Sequence, residues 1–282
     1  MKFVTAAQID QNIMLDAAND AFSDYVLPSP AVSRAAWDEM MHQRGLNLEL
    51  TWLAMEGDAV EAYWLVGTEP KTRPGESYGI SVGTRPRARR QGLSRQLWQH
   101  VAGGLRDHGY AGHVLEVIET NTRAVPLYEG LGFERLRHIE CFKGAAPQDP
   151  PASGISFRDV EIEVAESLGA PWREWQPTWQ NDIAAVRNLR ETMAATLAFD
   201  GEEPVGFGFF HKPYGQVVQI ALRPDVRRKG IARALIAHWA KAHGTEVMTV
   251  LNIPDTDKAS LALFRALGWR NYVNQFEMRA AL

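Results

Sequence analysis

The order of apolar and polar positions along this 282-residue chain predicts strands and helices in alternation. Residues 50–66 contain two apolar runs on either side of Glu56-Gly57-Asp58, a pattern typical of a β-hairpin. From Leu93 onward, apolar residues recur at three- and four-residue intervals, which is the period of an amphipathic helix. The same criteria predict strands at 76–83, 113–118 and 134–142, and helices at 10–22, 31–45 and 121–130.

The second half of the chain has the same order of elements. Strands are predicted at 194–199, 204–210, 216–222, 246–251 and 271–279, and helices after Gly230 and at 257–266. Strands that alternate with helices are typical of α/β domains. We therefore predict an α/β fold in each half, with an α+β arrangement of helices and a mixed sheet.

Two segments of the chain are internal copies of one another. ISVGTRPRARRQGLS (80–94) and VQIALRPDVRRKGIA (218–232) share Arg-Pro, Arg-Arg and Gly at identical spacing. Further along, YEGLGFE (128–134) matches FRALGWR (264–270). The repeat is the size of a domain and far longer than the roughly 20–50 residues of a solenoid unit. The sequence therefore predicts two tandem domains of one fold.

The segment between the copies has the composition of a linker. Residues 144–153 are mostly Gly, Ala and Pro and offer little to bury. We place the first domain at 1–143 and the second at 154–282. The linker is either a hinge or a passive surface connector, and the second interpretation is the simpler one.

Composition narrows the class of protein. Apolar residues make up 45% of the chain and charged residues 23%, and no apolar run approaches the roughly 20 residues of a membrane span. The N-terminal residues do not resemble a signal peptide, so we expect a cytoplasmic protein. A net charge of −4 argues against a general nucleic-acid or membrane-surface role. The single cysteine, Cys141, cannot form an intrachain disulfide, and we expect it to be buried and inert.

The most informative segment lies between a predicted strand and an amphipathic helix. Arg89-Arg90-Gln91-Gly92-Leu93-Ser94 places a glycine and two arginines at a helix N-terminus, where unpaired N–H groups carry partial positive charge. Glycine lets the backbone approach a ligand closely, so the segment predicts an anion site suited to a pyrophosphate. It has neither the Gly-Lys-Ser/Thr of a P-loop nor Gly-x-Gly-x-x-Gly, which argues against a nucleotide kinase.

These residues resemble the GNAT superfamily of acyl-CoA N-acyltransferases. The family motif Arg/Gln-x-x-Gly-x-Gly/Ala matches Arg89–Ser94 and Arg227–Ala232, with Ser94 as a small departure, and Phe22-Ser23-Asp24-Tyr25 resembles the first domain of bacterial tandem members. The resemblance implies a splayed mixed sheet with CoA in the cleft. In the first domain it implies these CoA contacts: Val82, Thr84, Arg89, Arg90, Gln91, Gly92, Leu93, Ser94 and Asn121.

The resemblance also implies a proton donor. Asn121-x-x-Ala124-x-x-x-Tyr128 matches the family's Asn-x-x-Ala-x-x-x-Tyr motif. By that match, Asn121 contacts the pantetheine arm of CoA and Tyr128 protonates the departing sulfur. A phenol of pKa about 10 is a reasonable donor to a thiolate of about 8.5. Core packing is the alternative role for Tyr128.

The general base is less well defined by the sequence. Glu76 begins a predicted strand, and Glu116 and Glu119 lie on or just after another, where their odd spacing points them to opposite faces. We favour Glu116 as the group that acts on the acceptor amine. A solvated surface role is the alternative for each of the three.

The second domain departs from the motif where the chemistry would lie. Asp257 stands in place of Asn121, and Phe264 in place of Tyr128. Phenylalanine cannot donate a proton, so we expect this domain to be degenerate. We leave open a second cofactor site there, with inherited architecture as the alternative, at Ile220, Leu222, Arg227, Arg228, Lys229, Gly230, Ile231 and Ala232.

Three tryptophans open the second domain. Trp172, Trp175 and Trp179 have helical spacing, which predicts packing in the core or between domains. A wall of the acceptor pocket is the alternative.

Together these features predict an acetyl-CoA-dependent N-acetyltransferase that acts on a primary amine of a small-molecule or peptide acceptor, by direct attack on the thioester. The alternative is a non-catalytic acyl-CoA-binding sensor or scaffold, which would have no need of Tyr128. The eight histidines show no metal-ligand spacing, so we expect no metal. We also expect no nucleic-acid or membrane partner, and a monomer or homodimer.

Overall fold

The computed structural model of the protein describes residues 1–27, 30–68, 72–148 and 154–282. The strands are β1 (Lys2–Thr5), β2 (Trp52–Glu56), β3 (Ala59–Gly67), β4 (Glu76–Thr84), β5 (Gly112–Ile118), β6 (Glu134–Ala145), β7 (Ile155–Asp159), β8 (Met193–Asp200), β9 (Glu203–His211), β10 (Gln216–Leu222), β11 (Val247–Pro254) and β12 (Arg270–Ala281). The helices are α1 (Gln11–Ala21), α2 (Arg34–Gln43), α3 (Leu93–Asp107), α4 (Ala124–Glu129), α5 (Ile162–Gly169), α6 (Ile183–Asn188), α7 (Ile231–His243) and α8 (Lys258–Ala266). Within these residues, no helix is both long enough and apolar enough to cross a bilayer.

The α/β elements predicted from the sequence are confirmed, with differences at short elements. The predicted helix at 121–130 is shorter, because the Asn121 side chain accepts a hydrogen bond from the Ala124 N–H (3.0 Å) and so caps α4 at its first residue. The elements that the sequence did not predict are β1, β7, α5 and α6. Each has at most eight residues, too few to show a clear hydrophobic period.

The chain forms two compact units that cross the boundaries of the sequence repeat. Unit 1 comprises Met1–Leu136 and Phe276–Leu282, and unit 2 comprises Arg137–Gln275. The predicted domains, 1–143 and 154–282, differ from these units in their last strands. Of the predicted linker, 144–145 belong to β6, whereas 149–153 lie outside the described residues.

Unit 1 contains a mixed sheet in the order β1-β2-β3-β4-β5, followed by the C-terminal part of β12. The first four strands are antiparallel neighbours, and β4 and β5 are parallel. Helix α3 packs its apolar stripe against the sheet, with Leu97 and Val101 fully buried beside Trp64. Met278 of β12 is fully buried in the same core.

Unit 2 repeats this plan with the strand order β6-β11-β10-β9-β8-β7. Strands β10 and β11 are parallel, and their neighbours are antiparallel. Helix α7 buries Leu235 and Trp239 in a core that includes Phe264. Strand β6 belongs to the first sequence copy but pairs with β11 here, from Ala145 opposite Val247 to Ile139 opposite Pro254.

Candidate active site

The candidate site of unit 1 lies where the parallel pairing of β4 and β5 ends. Pairing stops at Tyr78 and Val114, although both strands continue. Beyond that point the two strands line a cavity of about 130 Å³. A larger cavity of about 870 Å³ adjoins it and shares Asn121 and Tyr128 as lining residues. Two connected spaces therefore meet at α4.

The glycine turn forms one end of the larger cavity. Arg90 has a φ of +63° and Gly92 a φ of +75°, so the backbone turns sharply in the left-handed region before α3 begins. The N–H groups of residues 90–94 have no hydrogen-bond acceptor among the described residues. Successive unpaired N–H groups at the start of a 15-residue helix form a binding site for an anion.

The two arginines of this turn have different surroundings. Arg89 is fastened to Asp24 by two bonds of 2.7 Å, and it also donates to the carbonyl oxygen of Ala21 (3.0 Å). The Arg89 guanidinium holds the pKa of the Asp24 carboxyl well below its usual range. Arg90 is exposed, and its side chain forms no ion pair within the described part of the chain. Arg89 thus joins the end of α1 to the turn, and Arg90 is available to a ligand.

Tyr128 of α4 lines both cavities. Its ring packs edge-on against Trp64 at a centroid distance of 6.0 Å and contacts Phe133 at 5.6 Å. Its hydroxyl has no hydrogen-bond partner among the residues that the structure describes. Burial raises the pKa of Tyr128, and the nearby Tyr25 and Tyr63 raise it further. The phenol is therefore protonated at neutral pH.

Asn121 is buried at the start of α4, and its side-chain oxygen accepts two hydrogen bonds. Its oxygen accepts from the N–H groups of Arg123 (3.3 Å) and Ala124 (3.0 Å). Tyr25 lines the same two cavities, and burial raises the pKa of its phenol. Asn121 therefore positions α4, and with it Tyr128, as well as lining the cleft.

Glu116 of β5 lines the smaller cavity together with Tyr128. The Tyr78 hydroxyl donates a hydrogen bond to its Oε2, whereas its Oε1 is shielded from solvent and has no partner in the described residues. Burial raises the pKa of Glu116 to about 7, and the neighbouring Glu277 carboxylate contributes. A carboxyl group with this pKa can take or release a proton near neutral pH.

The other two candidate bases lie elsewhere. Glu76 pairs with Arg279 at 2.9 Å and lies 3.7 Å from Arg73, at the base of β4. Glu119 is exposed beyond the end of β5. Neither lines the two cavities.

Unit 2 has a glycine turn of the same geometry. Arg228 has a φ of +67° and Gly230 a φ of +81°, ahead of the 13-residue α7. Arg227 donates to Glu174 and to the carbonyl oxygen of Trp172 (3.2 Å), as Arg89 does to Asp24 and Ala21. A cavity of about 530 Å³ adjoins this turn.

The model of the acetyltransferase (GNAT) family matches residues 14–133 and 162–269. The chain belongs to this family. GNAT proteins use acetyl-CoA as the acyl donor, and the two matched stretches correspond to the two copies of the motif. A search of curated protein sequences gave no match.

Two solved structures of acetyltransferase-related proteins are similar to this one. A tandem GNAT protein from the clavulanic acid biosynthesis pathway, solved without AcCoA, has a TM-score of 0.71 at 14% identity, with 99% of this chain and 98% of that chain covered. A GCN5-related N-acetyltransferase from Sphaerobacter thermophilus has a TM-score of 0.72 at 20% identity, with 99% and 95% covered. At these identities the likeness shows the shared fold.

In the GNAT motif of unit 2, phenylalanine replaces the tyrosine, and its side chain packs in the core. Phe264 of α8 is fully buried between Trp269, at a centroid distance of 5.0 Å, and Phe142, at 6.3 Å. It does not line the unit 2 cavity. Its position is therefore part of the core of unit 2.

In unit 2, the parallel pairing of β10 and β11 ends at Val217 and Val250, as that of β4 and β5 ends in unit 1. Asn181 bridges the gap that follows. Its side-chain amide donates to the Leu251 carbonyl of β11 (2.8 Å), and its backbone carbonyl accepts from the Gln219 side chain of β10 (2.6 Å). Asn181 and the preceding Thr178 and Trp179 are buried. The space that accommodates Glu116 and the small cavity in unit 1 is thus filled by protein in unit 2.

The structure brings together most of the residues that the sequence singled out. All the predicted cofactor residues of unit 1 line the larger cavity except Gln91, which is exposed. In unit 2, all the candidates line the cavity except Lys229. The sequence patterns did not single out Tyr78 or Glu277. Neither belongs to a motif, and each acts through a residue that is its neighbour only in space.

The remaining sequence features have structural roles. Cys141 is fully buried, and its sulfur accepts from the Asn252 N–H at 3.3 Å. The three tryptophans do not lie on a helix despite their spacing: short 3-10 turns at Ala170–Trp172 and Trp179–Asn181 flank an irregular stretch. Trp172 and Trp175 line the unit 2 cavity. Within the described residues, no three His, Cys, Asp or Glu side chains come together as metal ligands.

Proposed function

We propose that unit 1 is an acetyl-CoA-dependent N-acetyltransferase that acts on a primary amine of a small-molecule or peptide acceptor. One observation carries the proposal: Tyr128 and Glu116, a protonated phenol and a carboxyl of near-neutral pKa, line the same small cavity, which adjoins the larger cavity at the glycine turn. A proton donor and a proton acceptor on either side of one space are what acyl transfer to an amine requires.

The residues of the turn fit CoA. The unpaired N–H groups of residues 90–94 would hold the pyrophosphate, and the exposed Arg90 would add a positive charge. Val82, Thr84 and Ser94 line the cleft between that turn and Tyr128, where the pantetheine arm would lie. Arg89 contributes by holding Asp24 and the end of α1 beside the cleft.

Acetyl-CoA supplies the acyl group as an activated thioester, which the amine nitrogen attacks directly. Two proton transfers then complete the exchange. Glu116 takes the proton released by the amine, through its unpartnered Oε1 or a water. Tyr128 gives its proton to the departing sulfur, and solvent restores both groups.

The test is the release of free thiol from acetyl-CoA in the presence of a panel of primary amines. Tyr128→Phe should lower kcat by about 10²- to 10⁴-fold and leave the Kd for acetyl-CoA unchanged. Tyr214→Phe, at an exposed position in unit 2, is the matched control and should retain full activity. An unchanged rate in Tyr128→Phe would rule out the acid role.

A second candidate function applies to unit 2, which we infer to bind CoA without turnover. Asp257 is 5% exposed and lines the unit 2 cavity, and its Oδ2 has no partner among the described residues. A buried carboxylate oxygen facing a cavity accommodates an N–H donor, such as an amide of the pantetheine arm. The filled gap at Asn181 and the buried Phe264 argue against catalysis there.

Calorimetric titration of acetyl-CoA separates these possibilities. Wild type should bind two equivalents, and Gly92→Trp and Gly230→Trp should each retain one. Loss of all binding in Gly92→Trp would mean that unit 2 has kept the turn without a ligand. Binding without any thiol release across the amine panel would favour a non-catalytic acyl-CoA sensor or scaffold over the enzyme.

A further inference from the structure

The last seven residues of the chain complete unit 1. Phe276–Leu282 belong to this unit, and β12 lies next to β5 in the sheet. The Leu282 N–H donates to the Ala111 carbonyl at 3.2 Å, just ahead of β5. By the sequence repeat these residues end the second copy, so a strand from that copy borders the candidate site of the first.

Glu277 of this strand lies on the same face of the sheet as Glu116. The Arg279 guanidinium occupies the space in which a Cβ on Gly112 would lie, so Arg279 and position 112 share a face. Side chains two residues apart on a strand point to the same side. Glu277, two residues before Arg279, and Glu116, four residues after Gly112, therefore face the same side of neighbouring strands.

Glu277 is held in place by a chain of ion pairs. It is 2% exposed, and its carboxylate lies 3.4 Å from the Arg73 guanidinium. Arg73 is also 3.7 Å from Glu76, which in turn pairs with Arg279 at 2.9 Å. One arginine thus lies between two carboxylates, and Glu277 is held in a fixed, buried position on the strand beside β5.

We propose that Glu277 is a positioning residue for Glu116: its fixed charge on the adjoining strand increases the basicity of the carboxyl group that takes the proton of the acceptor amine. This inference rests on the proposed function for the role of Glu116. The interaction between the two carboxyl groups is independent of that function.

Burial and three groups besides Glu277 set the protonation of Glu116, and the three groups come from different parts of the chain. Burial raises its pKa most, and the Glu277 carboxylate raises it next. The hydrogen bond from Tyr78 of β4 lowers it, as do the positive charges of Arg44, which follows α2, and Arg73, which precedes β4. Like charges in a buried site raise one another's pKa, because the second ionisation must overcome the field of the first.

The test measures Glu116 directly, in the full-length protein without any ligand. The ¹³C resonances of labelled glutamate side-chain carboxyl carbons are followed against pH, and Glu116→Gln assigns the resonance. The wild-type midpoint should lie near pH 7. Glu277→Gln should move it to lower pH, and Arg73→Gln should move it to higher pH. Opposite shifts from two partners of one ion pair are not expected from a general loosening of the fold.

Controls keep the result decisive. Glu119→Gln, at the exposed end of the same strand, should leave the midpoint unchanged. Circular dichroism and tryptophan fluorescence establish that each variant is folded. If Glu277→Gln does not fold, Glu277→Asp keeps the charge but withdraws it by one methylene, and should shift the midpoint down by less. An unchanged midpoint in a folded Glu277 variant overturns the proposal.

The same experiment separates this inference from the proposed function. If the midpoint shifts as expected but no amine is acetylated, Glu277 tunes Glu116 and the enzymatic role fails. If amines are acetylated, the acid limb of the kcat/KM profile should move to lower pH in Glu277→Gln together with the midpoint. Acetylation with an unmoved limb and midpoint would retain the enzyme and reject the role of Glu277.

Discussion

The indole N–H of Trp64 donates a hydrogen bond to Nε2 of His113 at 3.0 Å, inside the core of unit 1. The other ring nitrogen, Nδ1, lies 2.8 Å from the Ser77 hydroxyl, which itself donates to the Gly112 carbonyl at 3.1 Å. Nε2 is an acceptor here, so the proton of the neutral ring is on Nδ1. His113 thus links β3, β4 and β5 at the base of the gap that forms the site.

This arrangement predicts acid sensitivity. Burial lowers the pKa of His113 to about 3, whereas histidine in an unfolded chain titrates near 6.5. Below pH 6.5 the unfolded state binds a proton that the native state does not, so stability falls as the pH decreases toward 3, by about 1.4 kcal/mol per pH unit from this group. Urea unfolding at several pH values measures the slope.

A histidine variant isolates that contribution. His113→Gln should be less stable at neutral pH, because a hydrogen-bonded buried ring is replaced, but its stability should depend less on pH between 6.5 and 4. His108→Gln, at an exposed position, is the control. An equal pH slope in wild type and His113→Gln would show that His113 is not neutral in the native core.

The two arginines of the first glycine turn should have separable effects. Arg90→Gln should weaken acetyl-CoA binding about two- to fivefold, as for an exposed charge pair, and the loss should shrink at high salt. Arg89→Gln should lower the melting temperature, since it releases Asp24 and the end of α1. Calorimetry at two salt concentrations and thermal melts of both variants test this. If Arg90→Gln lowered the melting temperature and Arg89→Gln did not, the two roles assigned here would be wrong.

Restoring tyrosine in unit 2 should not restore catalysis. Phe264→Tyr places a hydroxyl in a core between Trp269 and Phe142, and an unpaired buried hydroxyl costs about 1–3 kcal/mol. Asn181 also fills the gap that an acceptor would need. In a Gly92→Trp background, Phe264→Tyr should therefore show no thiol release. Measurable turnover there would mean that the gap in unit 2 opens.

Unit 1 should depend on the end of the chain. Met278 is fully buried in its core, and Met278→Ala should cost about 2–5 kcal/mol of unfolding free energy. A fragment of residues 1–143 lacks the strand beside β5 and should unfold at lower denaturant than a fragment in which residues 276–282 are joined to residue 136 by a flexible linker. Equal stability of the two fragments would show that unit 1 does not need this strand.

Local patterns were sufficient for much of this molecule. The glycine turn could be predicted because it is made of consecutive residues, and the left-handed φ at Gly92 is the conformation that glycine readily adopts. The position of Tyr128 on a helix after Asn121 is likewise a property of one short segment. Such features depend on contacts that are close along the chain.

Other features depend on residues far apart in sequence. The partner of Arg89 is Asp24, the partner of Glu116 is Tyr78, and the gap of unit 2 is filled by a residue some forty positions ahead of Gln219 (Asn181). No spacing rule connects such residues, since loops of different length lead to the same neighbour in space. For the same reason, the irregular backbone between Trp172 and Trp179 could not be distinguished from a helix by spacing alone.

The sequence by itself determined the α/β repeat, the family and the chemical types of the site residues, because each is written in periodicity or in a contiguous motif. Only the tertiary structure decided which strand completes which unit. β6 pairs with β11, and the C-terminal part of β12 joins unit 1. The two copies have terminal strands of similar apolar pattern, which would fit either sheet edge. Long-range packing, such as that of Met278 and Glu277 beside β5, selects between them.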